Sequence, residues 1–296
     1  MVDAIDIFDR RRHRENRARA ARNFAEHDFL FREVGERLFD RLQDVNRRFS
    51  RALVVGCRAP LPPGLVDETV GMDLTPPFAT HVVADEEALP FAPASFDLIL
   101  SPLALHWVND LPGALIQLRR ALKPDGLLLA ALFGGGTLYE LRHALLEAEM
   151  EIEAGASPRV SPFAEIRDAG GLLQRAGLAL PVADMDTITV TYDNPLKLLA
   201  DLRGMGEQNV IRERRRSFLR RATLLRAMEI YAERHADADG RVPATFEVVF
   251  LTGWAPHESQ QQPLRPGSAA QRLADALDAN EIGAGEKIRP PRKGSS

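Results

Sequence analysis

The chain has 296 residues, 45% of them hydrophobic and 27% charged, a formal net charge of −4 and one cysteine. This is a globular composition, and its low aromatic share and mildly acidic balance argue against a stacking-based nucleic-acid binder. Cys57 alone makes neither an intrachain disulfide nor a cysteine-based metal centre, and the longest apolar run, Leu127 to Phe133, is too short to cross a bilayer. The N-terminus carries acidic residues where a signal peptide would be apolar, so neither export nor a membrane anchor is expected.

Residues 1–50 form a polar, arginine-rich leader. Phe31, Val34, Leu38 and Leu42 keep helical spacing there, which predicts one or two amphipathic helices. Arg10, Arg11, Arg12, Arg14, Arg17 and Arg19 read as a solvated helix face, or as a dock for an acidic protein or carrier domain.

From Ala52 to Phe133 short β-rich runs alternate with loops and one helix: Ala52–Val55, Thr69–Met72, His81–Val83, Phe96–Leu100 and Leu127–Phe133. That order predicts a doubly wound, mostly parallel α/β sheet. Lys123-Pro124-Asp125-Gly126 stops the helix that begins at Asp110 and turns the chain into the last of these strands.

The region beyond is read as a helical insertion over about residues 137–235, with helices near Leu138–Glu153, Ile166–Arg175, Pro195–Leu202 and Ile211–His235, and a strand over Thr187–Tyr192. The helix over Ile211–His235 carries a second arginine cluster, Arg212, Arg214, Arg215, Arg216, Arg220 and Arg221. Gly204-Met205-Gly206 is expected to break the preceding helix and hinge a lid. A final strand, Thr245–Trp254, closes a domain over 51–257. The tail, 258–296, is rich in Gln, Pro, Gly and Ser and is expected to be largely disordered, with a short helix near Ala270–Leu277.

Ligands of such sheets bind beyond the carboxyl ends of the strands. The first strand ends in Val55-Gly56-Cys57-Arg58-Ala59, where a nucleotide loop would have more glycines; only Gly56 remains, and the prolines that follow leave no room for the usual helix. Asp73 ends the second strand, where a carboxylate accepts ribose hydroxyls, and Asp85 ends the third, where one accepts the adenine amine. Each aspartate reads equally well as a helix N-cap. His106 and Trp107 follow the fourth strand, so His106 is a candidate acid–base or substrate-orienting group. Tyr139 and Glu140 open the helix after Gly134-Gly135-Gly136 and are candidates for the same cleft. The His-X-carboxylate spacings at His13 and His235 lie in polar helical stretches and read as chance; no metal site is expected.

The acidic second and third strand ends and the helix–Lys-Pro-Asp-Gly–strand unit together resemble the class I S-adenosylmethionine-dependent methyltransferases. A longer set extends over nearly the whole chain, including Ile7-Phe8-Asp9-Arg10, Ala84-Asp85-Glu86-Glu87, Leu105-His106-Trp107-Val108-Asn109-Asp110-Leu111-Pro112, Thr137-Leu138-Tyr139-Glu140-Leu141-Arg142, Ser161-Pro162-Phe163, Gly204-Met205-Gly206-Glu207 and Val242-Pro243-Ala244-Thr245. This set is similar to the complex I assembly factors that hydroxylate an arginine of a complex I subunit, and to their bacterial relatives; the malonyl-carrier-protein methyltransferases are more distant.

The resemblance implies S-adenosyl-L-methionine as cofactor, at Gly56, Asp73, Asp85, Leu103 and Trp107, with His106 and Tyr139 as catalytic candidates. It also implies a protein side chain as substrate and a complex I subunit as partner; the single cysteine fits a reducing compartment, and a bacterial cytoplasmic setting is expected. The sequence departs from the pattern at Cys57-Arg58-Ala59-Pro60, which predicts a weakened cofactor loop. A scaffold protein without catalysis and a small-molecule or carrier-protein methyltransferase are the alternatives.

Overall fold

A central strand of a parallel sheet is buried on both faces and reads as an unbroken apolar run, and the run Leu127–Phe133 lies at the middle of this sheet. The computed structural model describes residues 6–62, 64–153, 155–161, 163 and 166–261, without the side chains of 166–168. The chain divides into units 1–258 and 259–296. From residue 262 on, the tail that was expected to be disordered, with its helix at Ala270–Leu277, lies outside the described residues.

The seven strands are β1 (Arg51–Val55), β2 (Glu68–Asp73), β3 (Val82–Val83), β4 (Phe96–Pro102), β5 (Leu122–Phe133), β6 (Ala179–Tyr192) and β7 (Val242–Trp254), in the order β3-β2-β1-β4-β5-β7-β6. β1 through β5 pair in parallel, while β7 runs antiparallel between β5 and β6. The order reverses beside β1. The carboxyl ends of β1, β2 and β4 therefore border the crevice where such sheets hold ligands.

The helices are α1 (Arg10–Ala20), α2 (Phe29–Gln43), α3 (Leu111–Ala121), α4 (Tyr139–Glu153), α5 (Ile166–Arg175), α6 (Pro195–Met205) and α7 (Arg221–His235). Successive residues of β1 face opposite ways: Ala52 and Val54 pack with α2, α4 and α7, whereas Leu53 and Val55 pack with α3 and α5. Among the described residues no helix joins β1 to β2, as the prolines predict, and α2 of the leader packs over β4 and β5. Its Leu30, Phe31, Val34 and Leu38 are fully buried, each stabilising the fold by about 2 kcal/mol relative to exposure.

Local signals set the helix ends. The side chains of Asp9, Asp110 and Asn194 cap α1, α3 and α6 by accepting from Arg12 N, Gly113 N and Leu196 N at 3.0, 2.8 and 2.8 Å. Gly206 ends α6 in the left-handed region at φ 78°.

Two expectations are corrected. The helix expected over Ile211–His235 begins only at Arg221. Ile211 instead forms an antiparallel bridge with Phe8, and Arg212, Arg214 and Arg215 pair with Asp6, Asp9 and Glu153, so these three arginines pin a loop ahead of the helix. The break expected at Gly204-Met205-Gly206 falls at Gly206; Gly204 itself lies within α6, pressed so closely on His27 that an added Cβ would sit 2.0 Å from the ring.

Candidate functional site

The carboxylates at the strand ends are already engaged. Asp73 is fully buried; its Oδ1 accepts from Thr75 N at 2.9 Å and Thr75 Oγ1 at 3.1 Å, and its Oδ2 accepts from Arg17 of α1. Asp85 accepts from Arg10 Nη2 at 2.6 Å and from Glu87 N at 3.0 Å. Glu86, wholly buried beside it, takes Arg10 as well and lies 3.6 Å from Arg17 Nη1. Three turns of polar helix thus lie across the ends of β2 and β3.

The segment before α1 is fastened on both sides. Asn109 brackets Phe8, accepting from its N at 2.7 Å and donating to its O at 3.2 Å, while Asp9 N donates to Val210 O and Arg212 N to Ile7 O, each at 2.8 Å. Arg10 Nη1 donates to Trp107 O at 3.0 Å. His13 is fully buried against the Trp107 ring, 5.5 Å between centroids. Burial, and then the nearby Arg17 cation, hold His13 well below the usual imidazole range, so it is neutral.

The loop after β1 contributes a side chain where a ligand would be expected. Gly56, at φ +81°, is backed so tightly by Ala104 that an added Cβ would lie 2.6 Å from the Ala104 Cβ. Arg58 then turns inward and is buried. It donates to Leu103 O at 2.7 Å, Met205 O at 3.3 Å and Glu207 Oε1 at 2.6 Å, with its guanidinium 4.1 Å above the Phe31 ring. Burial lowers its basicity. Leu103 adopts a left-handed conformation, φ 52°, and its carbonyl is one of the three oxygens holding Arg58.

Glu207 is the hub. Besides Arg58, it receives His106 Nε2 at 3.0 Å and the Trp107 indole N–H. Burial opposes its charge, but Arg58 and His106 outweigh that and hold the carboxyl well below its ordinary range. His106 falls below the usual imidazole range because burial outweighs the pull of Glu207. A neutral ring facing a carboxylate that only accepts must carry its proton on Nε2, which leaves Nδ1 as a buried acceptor without a hydrogen-bond partner among the described residues.

Beside Glu207 and Trp107 opens a cavity of about 300 Å³ walled by leucines of α4 and α6, among them Leu141, Leu145, Leu199 and Leu202. Three arginines on its rim are neutralised: Arg159 by Glu149, Arg214 by Asp9 and Arg215 by Glu153.

Of the expected site residues, the structure gathers Gly56, Asp73, Asp85, Leu103, His106 and Trp107 at one edge of the sheet. Tyr139 is not with them: the residue is 39% exposed and its ring lies edge-on to His143 and His235. Glu140 is buried but bonded to Thr245 of β7, so its role is to fasten α4 to the sheet. Glu207, Arg58, Glu86, His13, Arg10 and Arg17 went unrecognised as site residues. His13 had read as chance and Arg10 and Arg17 as a solvated face. The signal for the leader lay in the three- and four-residue steps His13, Asn16, Arg17 and Ala20, which are the buried stripe of α1.

Residues 59–130 match the family described as "Methyltransferase domain". The YcgJ protein from Bacillus subtilis shares the fold, with a TM-score of 0.50 at 14% identity over 74% of this chain and 98% of that one. The malonyl-[acyl-carrier protein] O-methyltransferase of Halorhodospira halophila is 36% identical over 85% of this chain and 90% of its own length. The mitochondrial arginine-hydroxylase NDUFAF5 is 42% identical in Mus musculus, over 96% of this chain and 88% of its own, and 41% identical in Danio rerio, over 92% and 89%. These mitochondrial relatives overturn the expectation of a bacterial cytoplasmic setting. With such identity along almost its entire length, the chain belongs to the NDUFAF5 family of proteins built on the methyltransferase fold.

Proposed function

We propose that the protein is an enzyme that modifies an arginine side chain of a protein partner, by hydroxylation as in the NDUFAF5 relatives, and that the partner is a subunit of respiratory complex I, as the resemblance implies. One observation carries the reading: an ionised, buried carboxylate, Glu207, stands on the wall of a leucine-lined cavity. A carboxylate offers about four acceptor positions, and Arg58, His106 and Trp107 use three. The remaining position suits a guanidinium N–H, with the aliphatic stem of the substrate along Leu141, Leu145, Leu199 and Leu202. Arg159, Arg214 and Arg215 on the rim are each paired with a carboxylate, which weakens their repulsion of such a cation and leaves Arg203 as the cavity's one arginine without an ion pair among the described residues.

S-adenosylmethionine is the cofactor that the methyltransferase-domain match and the fold support. With α1 docked, the residues at the strand ends do not admit it: the carboxylates for its ribose and adenine hold Arg17 and Arg10, and Gly56 faces Ala104 instead of open space. The parts of the reaction assigned to this chain are therefore limited to its own side chains. Glu207 binds and orients the guanidinium, the leucines and Trp107 exclude water, and His106 Nε2 donates to Glu207 at 3.0 Å and holds the carboxylate in place.

A second reading rests on Arg203. It lines this cavity, and no ion pair to it is formed among the described residues. An acyl chain ending in a carboxylate, like the malonyl group in the printed name of the O-methyltransferase relatives, would fit that cation.

The test is mass spectrometry of complex I subunits and of a malonyl carrier protein incubated with the full chain, S-adenosylmethionine, dioxygen and a two-electron reductant, because hydroxylation inserts one oxygen atom of dioxygen into a C–H bond and reduces the other to water. An added oxygen on arginine supports the first reading and an added methylene on the carrier the second. No change on any arginine, with a folded and cofactor-competent protein, overturns the first.

A further inference from the structure

We infer that α1 is an internal occupant of the nucleoside site, and that α1 docking and cofactor binding exclude one another. The inference rests on the methyltransferase-type site and not on arginine as the target, so its failure is distinguishable from failure of the proposed activity.

Two guanidinium groups of one helix sit on the two carboxylates that a nucleoside would need. Arg17 meets Asp73, the ribose acceptor, with neither side chain exposed, and Arg10 meets Asp85, the candidate adenine acceptor, together with Glu86. Seven residues separate them, two helical turns, which brings both to one face of α1. Thr75 takes Oδ1 by two hydrogen bonds, so a ribose hydroxyl would have to approach Oδ2, where the wholly buried Arg17 side chain already sits.

The contact is built to be left. Of α1, only His13, Asn16, Arg17 and Ala20 are buried, so alanine is its sole buried apolar side chain and hydrophobic burial contributes little to holding it. Its hydrogen bonding is incomplete: His13 Nε2, Asn16 Nδ2, Arg17 Nε and Nη1, and Glu86 Oε1 are buried with no hydrogen-bond partner among the described residues. Each such group is one that water or a polar ligand would satisfy after α1 withdraws. The clamp at residues 7–9 and 210–212, by contrast, is backbone bonding, so it can tether the leader while α1 itself moves. Charge holds the helix and nothing apolar locks it. The weakened glycine loop fits this arrangement, since Arg58 rather than a ligand fills the space beyond Gly56 and joins Leu103 to Glu207.

S-adenosylhomocysteine titrated calorimetrically into the full chain, into Arg10→Gln and into Arg17→Gln tests this, with amide hydrogen exchange of residues 10–20 followed in the wild type at saturating ligand. The expected result is binding at least tenfold tighter in one or both variants and faster exchange across α1 in the liganded wild type. Arg10 lies at the rim, so Arg10→Gln keeps the test open if Arg17→Gln does not fold. Unchanged or weaker affinity in the folded variants overturns the inference. So does ligand binding to the wild type with α1 protection unaltered, or binding by none of the folded proteins at millimolar ligand.

Discussion

Arg17 meets Asp73 inside the protein, with neither side chain exposed to solvent, so an ion pair joins the leader helix to the end of β2. Breaking one partner of such a pair strands the other charge in the interior, which typically costs about 3–5 kcal/mol. Asp73→Asn is therefore expected to lower unfolding free energy by about that amount. Replacing both, Arg17→Met with Asp73→Asn, removes the stranded charge and is expected to restore most of the loss. Urea unfolding of the two single variants and the double variant measures the coupling; strictly additive losses would show that the two side chains do not interact.

Acid should weaken the protein in two stages. His13 and His106 are both held below the ordinary value of 6.5 by burial, so the unfolded chain binds their protons more readily than the folded one. Their contribution is complete above about pH 6.5 and is lost as the pH falls below it toward the folded values. Glu207 is held below its ordinary 4.5, mainly by Arg58 and His106 against the effect of burial, so its contribution is lost only at lower pH still. Urea midpoints taken in steps from about pH 7.5 to about pH 5 should begin to decline near the ordinary histidine value. His13→Gln should flatten that first decline. Stability that stays constant across the whole range would mean that neither ring is neutral in the fold.

The mostly parallel α/β sheet was legible because apolar runs bounded by glycine, proline and acidic residues are local signals, and Asp73, Asp85 and His106 could be placed by counting from strand ends. Arg17 and Arg58 were not legible. An arginine in a polar helix carries the same local pattern whether it faces water or a buried carboxylate 56 residues away, and only the partner's position distinguishes the two. Arg58 shows the same limit: its place in a shortened glycine loop marked a departure, yet its partner Glu207 lies 149 residues on. Tyr139 was misplaced for a different reason. Helix phase at a terminus depends on the turn before it, and Leu138, at φ 54°, turns Leu138 and Leu141 toward the cavity and leaves Tyr139 outside.

Gly204 gives a packing prediction at the seam between leader and insertion. A methyl there would meet the His27 ring at 2.0 Å and displace it from Asp201, to which Nδ1 is bonded at 2.7 Å. Gly204→Ala is a favourable change for an isolated helix, so helix propensity alone expects stabilisation. The clash predicts the reverse, a loss of about 1–3 kcal/mol. His27→Ala with Gly204→Ala should recover part of it. If Gly204→Ala is as stable as the wild type by urea unfolding, the close approach of α6 to residue 27 is wrong.

Glu207 separates binding from architecture in the proposed reaction. Glu207→Gln keeps the size and hydrogen-bonding reach of the side chain but removes the charge that a guanidinium would meet. A hydrogen bond to a charged group is worth about 1.5–3 kcal/mol, which predicts a fall of about tenfold to a hundredfold in kcat/KM for arginine modification. The variant also leaves Arg58 buried opposite a neutral amide, so a loss of stability is expected with it, and activity must be compared at a temperature where both proteins are folded. Arg58→Met is the control: it alters the same network from the side away from the cavity wall while leaving the Glu207 carboxylate. A guanidinium-binding role for Glu207 requires Glu207→Gln to raise KM for the peptide more than Arg58→Met does. Equal effects of the two variants on KM would assign Glu207 to holding the loop and would leave the cavity without its recognition group.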